Sequence, residues 1–301
     1  MSGHHDHAAH AGSTHRWRLL TAFVLTAAFF VVELVGGLLS GSLALISDAG
    51  HMGADVIALG AAVLATWIAG RPDRTGRRTF GSYRAEVFAS GLAVLIMIGV
   101  GVFIAIEAID RLVRGSVAAP TPTTMMVVGV IGLVVNLVSL GLLRGGAAES
   151  LNVKGAYLEV LSDAAGSVGV LIAGVLVATT GDGWWDSLLA LLVAAFVGVR
   201  AVILGREVLA VLGQHAPVGI DPADADSALA EVAGVREVHD LHLWTLTSGM
   251  NVATAHLVID PSCDPNGVLQ GARTMMRQRF SIEHATLQVE PEDADCGDPH
   301  W

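Results

Sequence analysis

The sequence predicts an α-helical membrane protein with six transmembrane helices, followed by a cytoplasmic α/β domain. Of the 301 residues, 53% are hydrophobic and only 15% are charged, whereas soluble domains average about 25% charged residues. The apolar residues form long runs before Glu207, and the formal net charge of −11 lies entirely after them, because residues 207–301 contain four basic and 15 acidic side chains. Such an acidic domain attracts cations and repels nucleic acid, so we expect no nucleic-acid partner.

Six stretches reach the length of about 20 mainly apolar residues that a helix needs to cross a bilayer. We predict spans at Trp17–Leu39, Leu43–Ala69, Val87–Ile109, Thr124–Leu143, Gly155–Thr180 and Trp184–Leu204. They make residues 17–206 a transmembrane domain surrounded by membrane lipids. The links are short, as at Ser40–Ser42 and Gly181–Gly183.

The basic residues predict the orientation of these spans in the cell membrane. One side receives Arg16, Arg18, five arginines between Arg71 and Arg84, Arg144, Lys154 and Arg206, whereas the other side receives only Arg111 and Arg114. Because loops rich in Lys and Arg stay in the cytoplasm, both termini are predicted to be cytoplasmic, in agreement with an even number of spans.

The first 16 residues form a histidine-rich segment that precedes the first span. It contains His4, His5, His7, His10 and His15 among Gly, Ala and Ser residues. It lacks the short apolar core and small-residue cleavage site of a signal peptide. The histidines are interrupted rather than consecutive, which favours a natural metal-collecting tail over an expression tag or a tail without a role.

Residues 207–292 are predicted to form the cytoplasmic domain, and residues 293–301 a flexible polar tail. Periodicity indicates a helix at Asp224–Val232, strands at His239–Leu246 and Asn251–Ile259, a helix at Pro265–Phe280 and a strand at Ala285–Glu290. This αββαβ order favours a small open sheet with helices on one face. Strict alternation would place His239 and His242 on opposite faces of their strand.

Ionisable side chains within the second and fifth spans point to a metal site. His51 and Asp55 are four residues apart, as are Glu159 and Asp163, so each pair shares one helix face. One imidazole and three carboxylates suit tetrahedral Zn²⁺. The alternative is polar contact between helices, which usually uses Ser, Thr, Asn or Gln. Asp48, one turn before His51, either orients His51 from the second coordination shell or is a carboxylate near the helix end.

Five segments carry a resemblance to a known family. They are SDAGHMGAD at 47–55, TFGSYRAE at 79–86, NVKGAYLEVLSD at 152–163, VHDLHLW at 238–244 and HATLQVE at 284–290. On these motifs the chain resembles the cation diffusion facilitator family from about Arg16 to Glu290. The resemblance implies a homodimeric exporter of divalent transition-metal cations, driven by proton antiport, with six spans and a ferredoxin-like cytoplasmic domain that binds metal at the dimer interface.

The resemblance also assigns roles to individual residues. It implies transport ligands at His51, Asp55, Glu159 and Asp163, and cytoplasmic metal ligands at His239, His256 and Glu290. Zinc members of the family commonly have His where this sequence has Glu159, and some prokaryotic members have His where it has Gln288. Zn²⁺ is expected as the main cargo. Because a carboxylate is a harder ligand than imidazole, a strict preference for Zn²⁺ is not expected, and Co²⁺, Cd²⁺, Ni²⁺ or Fe²⁺ are expected as further transported or regulatory ions. No resident cofactor is expected.

A transport cycle follows from the types of ligand. Metal and protons compete for the same lone pairs, so the site would take metal from the cytoplasm and release it on the more acidic side by alternating access. The alternative function is a metal-responsive membrane sensor that binds without transporting. An enzyme is not expected, because an intramembrane metalloprotease would need an HExxH base that the sequence lacks beside these ligands.

Several other side chains are weaker candidates. Glu33 either lines the access path or has no transport role, and Glu107 forms an interfacial charge cluster with Asp110, Arg111 and Arg114. The loop of residues 71–84 holds one acid, Asp73, too few for the further regulatory metal site that some family members have. The two cysteines argue against a disulfide framework. Cys263, Cys296 and His300 either bind a soft metal or have no role.

Overall fold

The structure is a computed structural model that describes residues 16–69, 77–115, 119–145, 151–247 and 249–291. The chain divides into two compact units. The first comprises Met1–Gly60 and Leu92–Leu204, and the second comprises Ala61–Gly91 and Gly205–Trp301. The histidine-rich segment, Asp73, Cys296 and His300 lie outside the described residues.

Long helices follow one another through the first two thirds of the described chain. They are α1 (Arg16–Ser40), α2 (Leu43–Ala69), α3 (Ala85–Arg114), α4 (Pro122–Arg144), α5 (Leu151–Thr180) and α6 (Trp184–Leu212). Each contains one predicted span, which confirms the helical membrane fold. By length and apolar composition, five of them qualify as spans within the described part of the chain. The side chains of residues 58, 59 and 61–69 in α2 are not among those described, so the count of six spans stays a prediction.

Two glycines end membrane helices where the sequence predicts short links. Gly41, between α1 and α2, has a φ of +73°, and Gly181, between α5 and α6, has a φ of +70°. A residue with a Cβ rarely adopts such angles, whereas glycine does so readily. Tight reversals at these two positions explain why connections of a few residues are long enough.

Asp186, near the start of α6, caps the first turn of α2. Its Oδ2 accepts a 2.8 Å hydrogen bond from the backbone N–H of Leu43, and its Oδ1 accepts one of 3.3 Å from that of Ala44. The Ser42 hydroxyl also donates to Oδ1. The first N–H groups of a helix have no partner within the helix. A fully buried carboxylate from another helix supplies that partner here.

The interior of the first unit brings α1, α4 and α5 close together. Phe29, Met125 and Val170, one from each of these helices, belong to one buried apolar cluster. Gly132 of α4 allows the approach, because a Cβ at this position would collide with the Phe29 ring and with the Ser167 hydroxyl. This packing sets the position of α5, which carries two of the candidate ligands.

The second unit contains the α/β domain in the predicted αββαβ order. Its elements are α7 (Pro222–Ala230), β1 (Val235–Thr247), β2 (Met250–Ile259), α8 (Pro265–Phe280) and β3 (His284–Glu290). Helix α7 begins two residues earlier than predicted, because Asp221 accepts a hydrogen bond from the Ala223 N–H and Pro222 occupies the first turn. Asp264 caps α8 in the same manner.

The three strands form a mixed sheet with one face covered by helices. The strand order is β1-β2-β3. Strands β1 and β2 pair antiparallel, whereas β2 and β3 pair parallel and are joined through α8. The described core contains Leu229 of α7 and Met276 of α8, packed with Leu257 of β2 and Leu287 of β3. The opposite face carries the histidines, as described below.

Candidate metal sites

Helices α2 and α5 bring the predicted transport ligands together. One ligand atom from each of His51, Asp55 and Glu159 lies within 4.8 Å of the others. His51 Nδ1 is 3.6 Å from Asp55 Oδ2, and His51 Nε2 is 3.6 Å from Glu159 Oε1 and 4.0 Å from Asp163 Oδ1. Tetrahedral bonds of about 2.0–2.2 Å separate ligand atoms by roughly 3.3–3.6 Å. Among the described residues, His51, Asp55 and Glu159 form a group of the size that a single cation needs, and Asp163 lies next to it through its 4.0 Å approach to His51 Nε2.

The four side chains differ in exposure along the two helices. His51 and Asp163 are almost fully buried, at 3% and 4% exposure, whereas Asp55 and Glu159 are about one third exposed. Asp55 lies one turn closer than His51 to the C-terminal end of α2, and Glu159 lies one turn closer than Asp163 to the N-terminal end of α5. The cluster is therefore open on the side of Asp55 and Glu159.

Arg200 of α6 reaches into this cluster, and the sequence analysis missed it. Its guanidinium donates to both carboxylate oxygens of Glu159, with Nη2 2.9 Å from Oε2. Nη1 lies 2.8 Å from His51 Nε2 and 3.9 Å from Asp55 Oδ2. An ionisable residue within a span is itself a signal of function. Arg200 has no ionisable partner three or four residues away within its predicted span, so the spacing that reveals the other two pairs gives no signal here.

Asp48 does not lie where it would hydrogen-bond to the His51 ring and orient it. Its carboxylate faces α5, where a Cβ on Gly166 would lie 3.2 Å from Oδ1. It also interacts with the carboxyl group of Glu33 in α1. Within the described residues, His51 Nδ1 has no hydrogen-bond partner, so Asp48 does not orient it by a direct hydrogen bond.

Buried polar groups continue beyond the four ligand side chains. Glu33 and Asn136 are 1% and 0% exposed. One oxygen of each side chain lacks a hydrogen-bond partner among the described residues, as does one carboxylate oxygen of Asp48 and of Asp163. The amide of Asn136 in α4 donates to the Ser167 hydroxyl in α5. Unpartnered buried oxygens are rare in folded proteins, so these four groups mark a polar interior around the candidate site that extends beyond the ligands.

The remaining candidates have ordinary structural surroundings. Arg111 forms a 3.0 Å ion pair with Glu107, and Arg114 forms a 2.7 Å ion pair with Asp110, which agrees with an interfacial charge cluster. Cys263 is a free, half-buried cysteine in the turn before α8.

A β-bulge in β1 creates the second cluster and corrects one prediction. His239 pairs with His256 of β2, but His242 pairs with Thr254, so β1 contains one extra residue between these pairs. The backbone accommodates this extra residue at Asp240, which has a φ of +53°. Because paired residues point to the same face, His239, His242 and His256 share one face. The prediction that His239 and His242 lie on opposite faces is therefore wrong, since it assumed an unbroken strand.

Glu290 of β3 joins the two predicted histidines on this face. His239 Nε2 is 3.1 Å from Glu290 Oε2, and His256 Nδ1 is 2.8 Å from Glu290 Oε1. The three residues form a second group whose ligand atoms lie within 4.8 Å of one another. Gln288 donates a 2.7 Å hydrogen bond to Glu290. The group thus offers two imidazoles and one carboxylate, which is a donor set that suits Zn²⁺.

Comparison with known proteins gives matches over both units. A family model described as the cation efflux transmembrane domain matches residues 19–212, and one described as the cytoplasmic domain of cation efflux proteins matches residues 218–292. The chain is 42% identical over 291 residues to the metal cation efflux system protein CzcD of Cupriavidus metallidurans, covering 96% of this chain and 90% of that protein.

Two further relatives are similar over nearly the same length. The zinc transporter ZitB of Escherichia coli is 38% identical, with 94% of this chain and 90% of that protein covered. A cadmium, cobalt and zinc/H(+)-K(+) antiporter of Bacillus subtilis is 34% identical, with 91% and 88% covered. A solved structure of the metal-bound C-terminal domain of CzcD from C. metallidurans is 38% identical and covers 24% of this chain and 99% of that domain, with a TM-score of 0.23.

The helical unit, the small mixed sheet and these matches define a multi-pass membrane transport protein with a cytoplasmic domain. The chain belongs to the cation efflux family, the cation diffusion facilitators, as its motifs indicate.

Proposed function

We propose that this protein exports Zn²⁺, together with Co²⁺ and Cd²⁺, from the cytoplasm in exchange for protons. Efflux of divalent metal cations is the activity of the family to which the chain belongs. The observation that supports a site for it is the convergence of His51, Asp55, Glu159 and Asp163 from two helices. Three of these four side chains are carboxylates, so the donor set is harder than one with two imidazoles and suits Co²⁺ as well as Zn²⁺. Cadmium is included because the B. subtilis relative is named as a cadmium, cobalt and zinc antiporter.

Proton exchange is supported by the chemistry of the same four side chains. Each must lose its proton, or be neutral in the case of His51, before it can bind a metal ion. Protons that bind on the far side of the membrane would then expel the metal. The greater exposure of Asp55 and Glu159 supports access from the ends of α2 and α5 that the basic residues predict to be cytoplasmic. We propose the cell membrane as the location.

A metal sensor and an enzyme are less well supported than a transporter. The three relatives described above are named as an efflux protein, a transporter and an antiporter, and none of these three is named as a sensor. A sensor that binds metal without moving it does not need further buried polar groups beside its ligands. Here Glu33, Asp48 and Asn136 extend the polar interior beyond the four ligands.

Flux measurements in liposomes test the proposed function. We expect purified protein to move Zn²⁺, Co²⁺ and Cd²⁺ into vesicles whose interior is acidic, with movement of protons out of the vesicles. Uptake should collapse when an ionophore dissipates the pH gradient. Metal binding without gradient-dependent flux would instead support the sensor.

The face of the sheet that carries His239, His256 and Glu290 is proposed to bind a regulatory metal ion at the interface of a homodimer. The acidic domain makes two copies repel one another, and bound cations would reduce that repulsion. We expect His256→Ala to remove one class of Zn²⁺ site from the full-length protein in a calorimetric titration. His242→Ala is the matched control, because His242 lies on the same face, is 54% exposed and contacts Asp240. Loss of the same site in the control, or none in His256→Ala, would contradict the assignment.

A further inference from the structure

Arg200 binds to the same atoms that the transported metal needs. Its guanidinium donates to both oxygens of Glu159, and its Nη1 lies 2.8 Å from His51 Nε2. A lone pair that accepts a hydrogen bond from Arg200 cannot bind a metal ion at the same time. Metal binding through His51 Nε2, which has a single lone pair, therefore requires that contact to break, and the hydrogen bonds from Arg200 occupy one lone pair on each Glu159 oxygen.

The guanidinium is suited to act as a cation at this position. It remains charged at every physiological pH, so it offsets part of the negative charge of three carboxylates without releasing a proton. Its planar pair of N–H groups fits the Glu159 carboxylate in the two-pronged geometry that lysine cannot reproduce. Because Nη1 can only donate, His51 Nε2 must accept this hydrogen bond. The imidazole is therefore neutral, with its one proton on Nδ1.

The position of Arg200 leaves room for it to withdraw. The side chain is 30% exposed, and Asp55 and Glu159 beside it are exposed to a similar extent. His51 and Asp163 are buried on the other side. Rotation of the long arginine side chain towards the open side would release Glu159 and His51 without moving α6.

We propose that Arg200 is a tethered cation that competes with the transported metal for His51 and Glu159, and that it thereby sets the metal affinity and assists release. This inference rests on the proposed function, since it concerns the same transport site. When the metal is bound, the guanidinium lies outside the cluster. When the guanidinium returns to Glu159, its positive charge takes the place of the charge of the metal ion. This exchange weakens the hold of the ligands on the metal and so allows the metal to leave.

Competition makes a prediction opposite to that of a structural ion pair. If the guanidinium occupies the ligands 90–99% of the time, the apparent metal affinity is reduced about 10–100-fold. Removing it should tighten binding by that factor. A purely structural pair between α5 and α6 predicts that its removal loosens the site and weakens binding.

The test compares Arg200→Gln, Arg200→Lys and wild type as full-length protein, by Zn²⁺ titration and by liposome flux. We expect Arg200→Gln to bind Zn²⁺ at least about tenfold more tightly, with a lower KM and a lower kcat because release is slower. The Zn²⁺ affinity of Arg200→Lys should lie between those of the wild type and Arg200→Gln, because lysine keeps the charge but loses the two-pronged contact. Arg206→Gln is the control, since it removes the same charge from an exposed position of α6 and should behave as wild type.

The outcomes separate this inference from the proposed function. Wild-type flux with unchanged or weaker Zn²⁺ binding in Arg200→Gln would overturn the competition and leave the transport function intact. If Arg200→Gln fails to fold, Arg200→Lys decides alone: tighter binding than wild type supports competition, and equal or weaker binding overturns it. Absence of flux in the wild type would overturn the transport function itself, whatever the variants bind.

Discussion

Asp163→Ala is expected to abolish metal transport while leaving the membrane domain folded. Asp163 is the most deeply buried of the three candidate carboxylate ligands, and its Oδ1 lies 4.0 Å from His51 Nε2. Because this oxygen has no hydrogen-bond partner among the described residues, its removal leaves few protein groups unpaired. Groups that merely support a metal ligand contribute about 10–100-fold to affinity, so loss of a ligand should reduce Zn²⁺ uptake by liposomes by at least about 100-fold.

A matched acidic residue controls for the loss of charge. Asp110 lies near the end of α3, is 43% exposed and pairs with Arg114, so Asp110→Ala should transport at the wild-type rate. Size-exclusion profiles should be the same for both variants and the wild type. Wild-type flux in a folded Asp163→Ala protein would refute the four-ligand site.

Asp186→Ala is expected to cause the largest loss of stability of any single acidic replacement outside the ligand cluster. Its carboxylate receives hydrogen bonds from the Ser42 hydroxyl and from the N–H groups of Leu43 and Ala44. Alanine would leave these buried donors unsatisfied, at a cost of about 1–3 kcal/mol for each group. We expect a total loss of roughly 3–5 kcal/mol, measured as a lower midpoint of thermal unfolding in detergent.

Asp182 provides the comparison for Asp186. It lies in the link before α6, is exposed, and accepts a single 2.9 Å hydrogen bond from the Trp184 N–H. Asp182→Ala should therefore cost about 1 kcal/mol or less. Equal midpoints for the two variants would show that the buried cap contributes no more than an exposed one.

The sequence was sufficient for the fold because its signals are local. Apolar runs define α1 to α6, and alternation with turn residues defines β1 to β3, so most predicted bounds differ from the structure by a few residues. The ends are less predictable because caps come from outside the periodic pattern. Asp221 begins α7 through its own side chain, whereas the cap of α2 comes from Asp186, which is 143 residues from Leu43 along the chain.

The candidate site was predictable only where its chemistry follows helical spacing. The pairs His51/Asp55 and Glu159/Asp163 are four residues apart, so each could be recognised within one helix. The contacts of Arg200 join α6 to α2 and α5, and no spacing rule links such distant positions. The surroundings of Asp48 could not be predicted for a similar reason, because its neighbours Glu33 and Gly166 lie on other helices.

The extra residue in β1 makes the geometry of the cytoplasmic cluster a matter of strand length as well as of side-chain identity. Without the bulge, the same residues would pair in register, and side chains three positions apart would point to opposite faces, so one of His239 and His242 would turn towards the helices. A relative with one residue rather than two between these histidines would keep both on this face in a regular strand, whereas two residues require the bulge to do so. Insertions and deletions in this strand are therefore as informative about metal binding as substitutions.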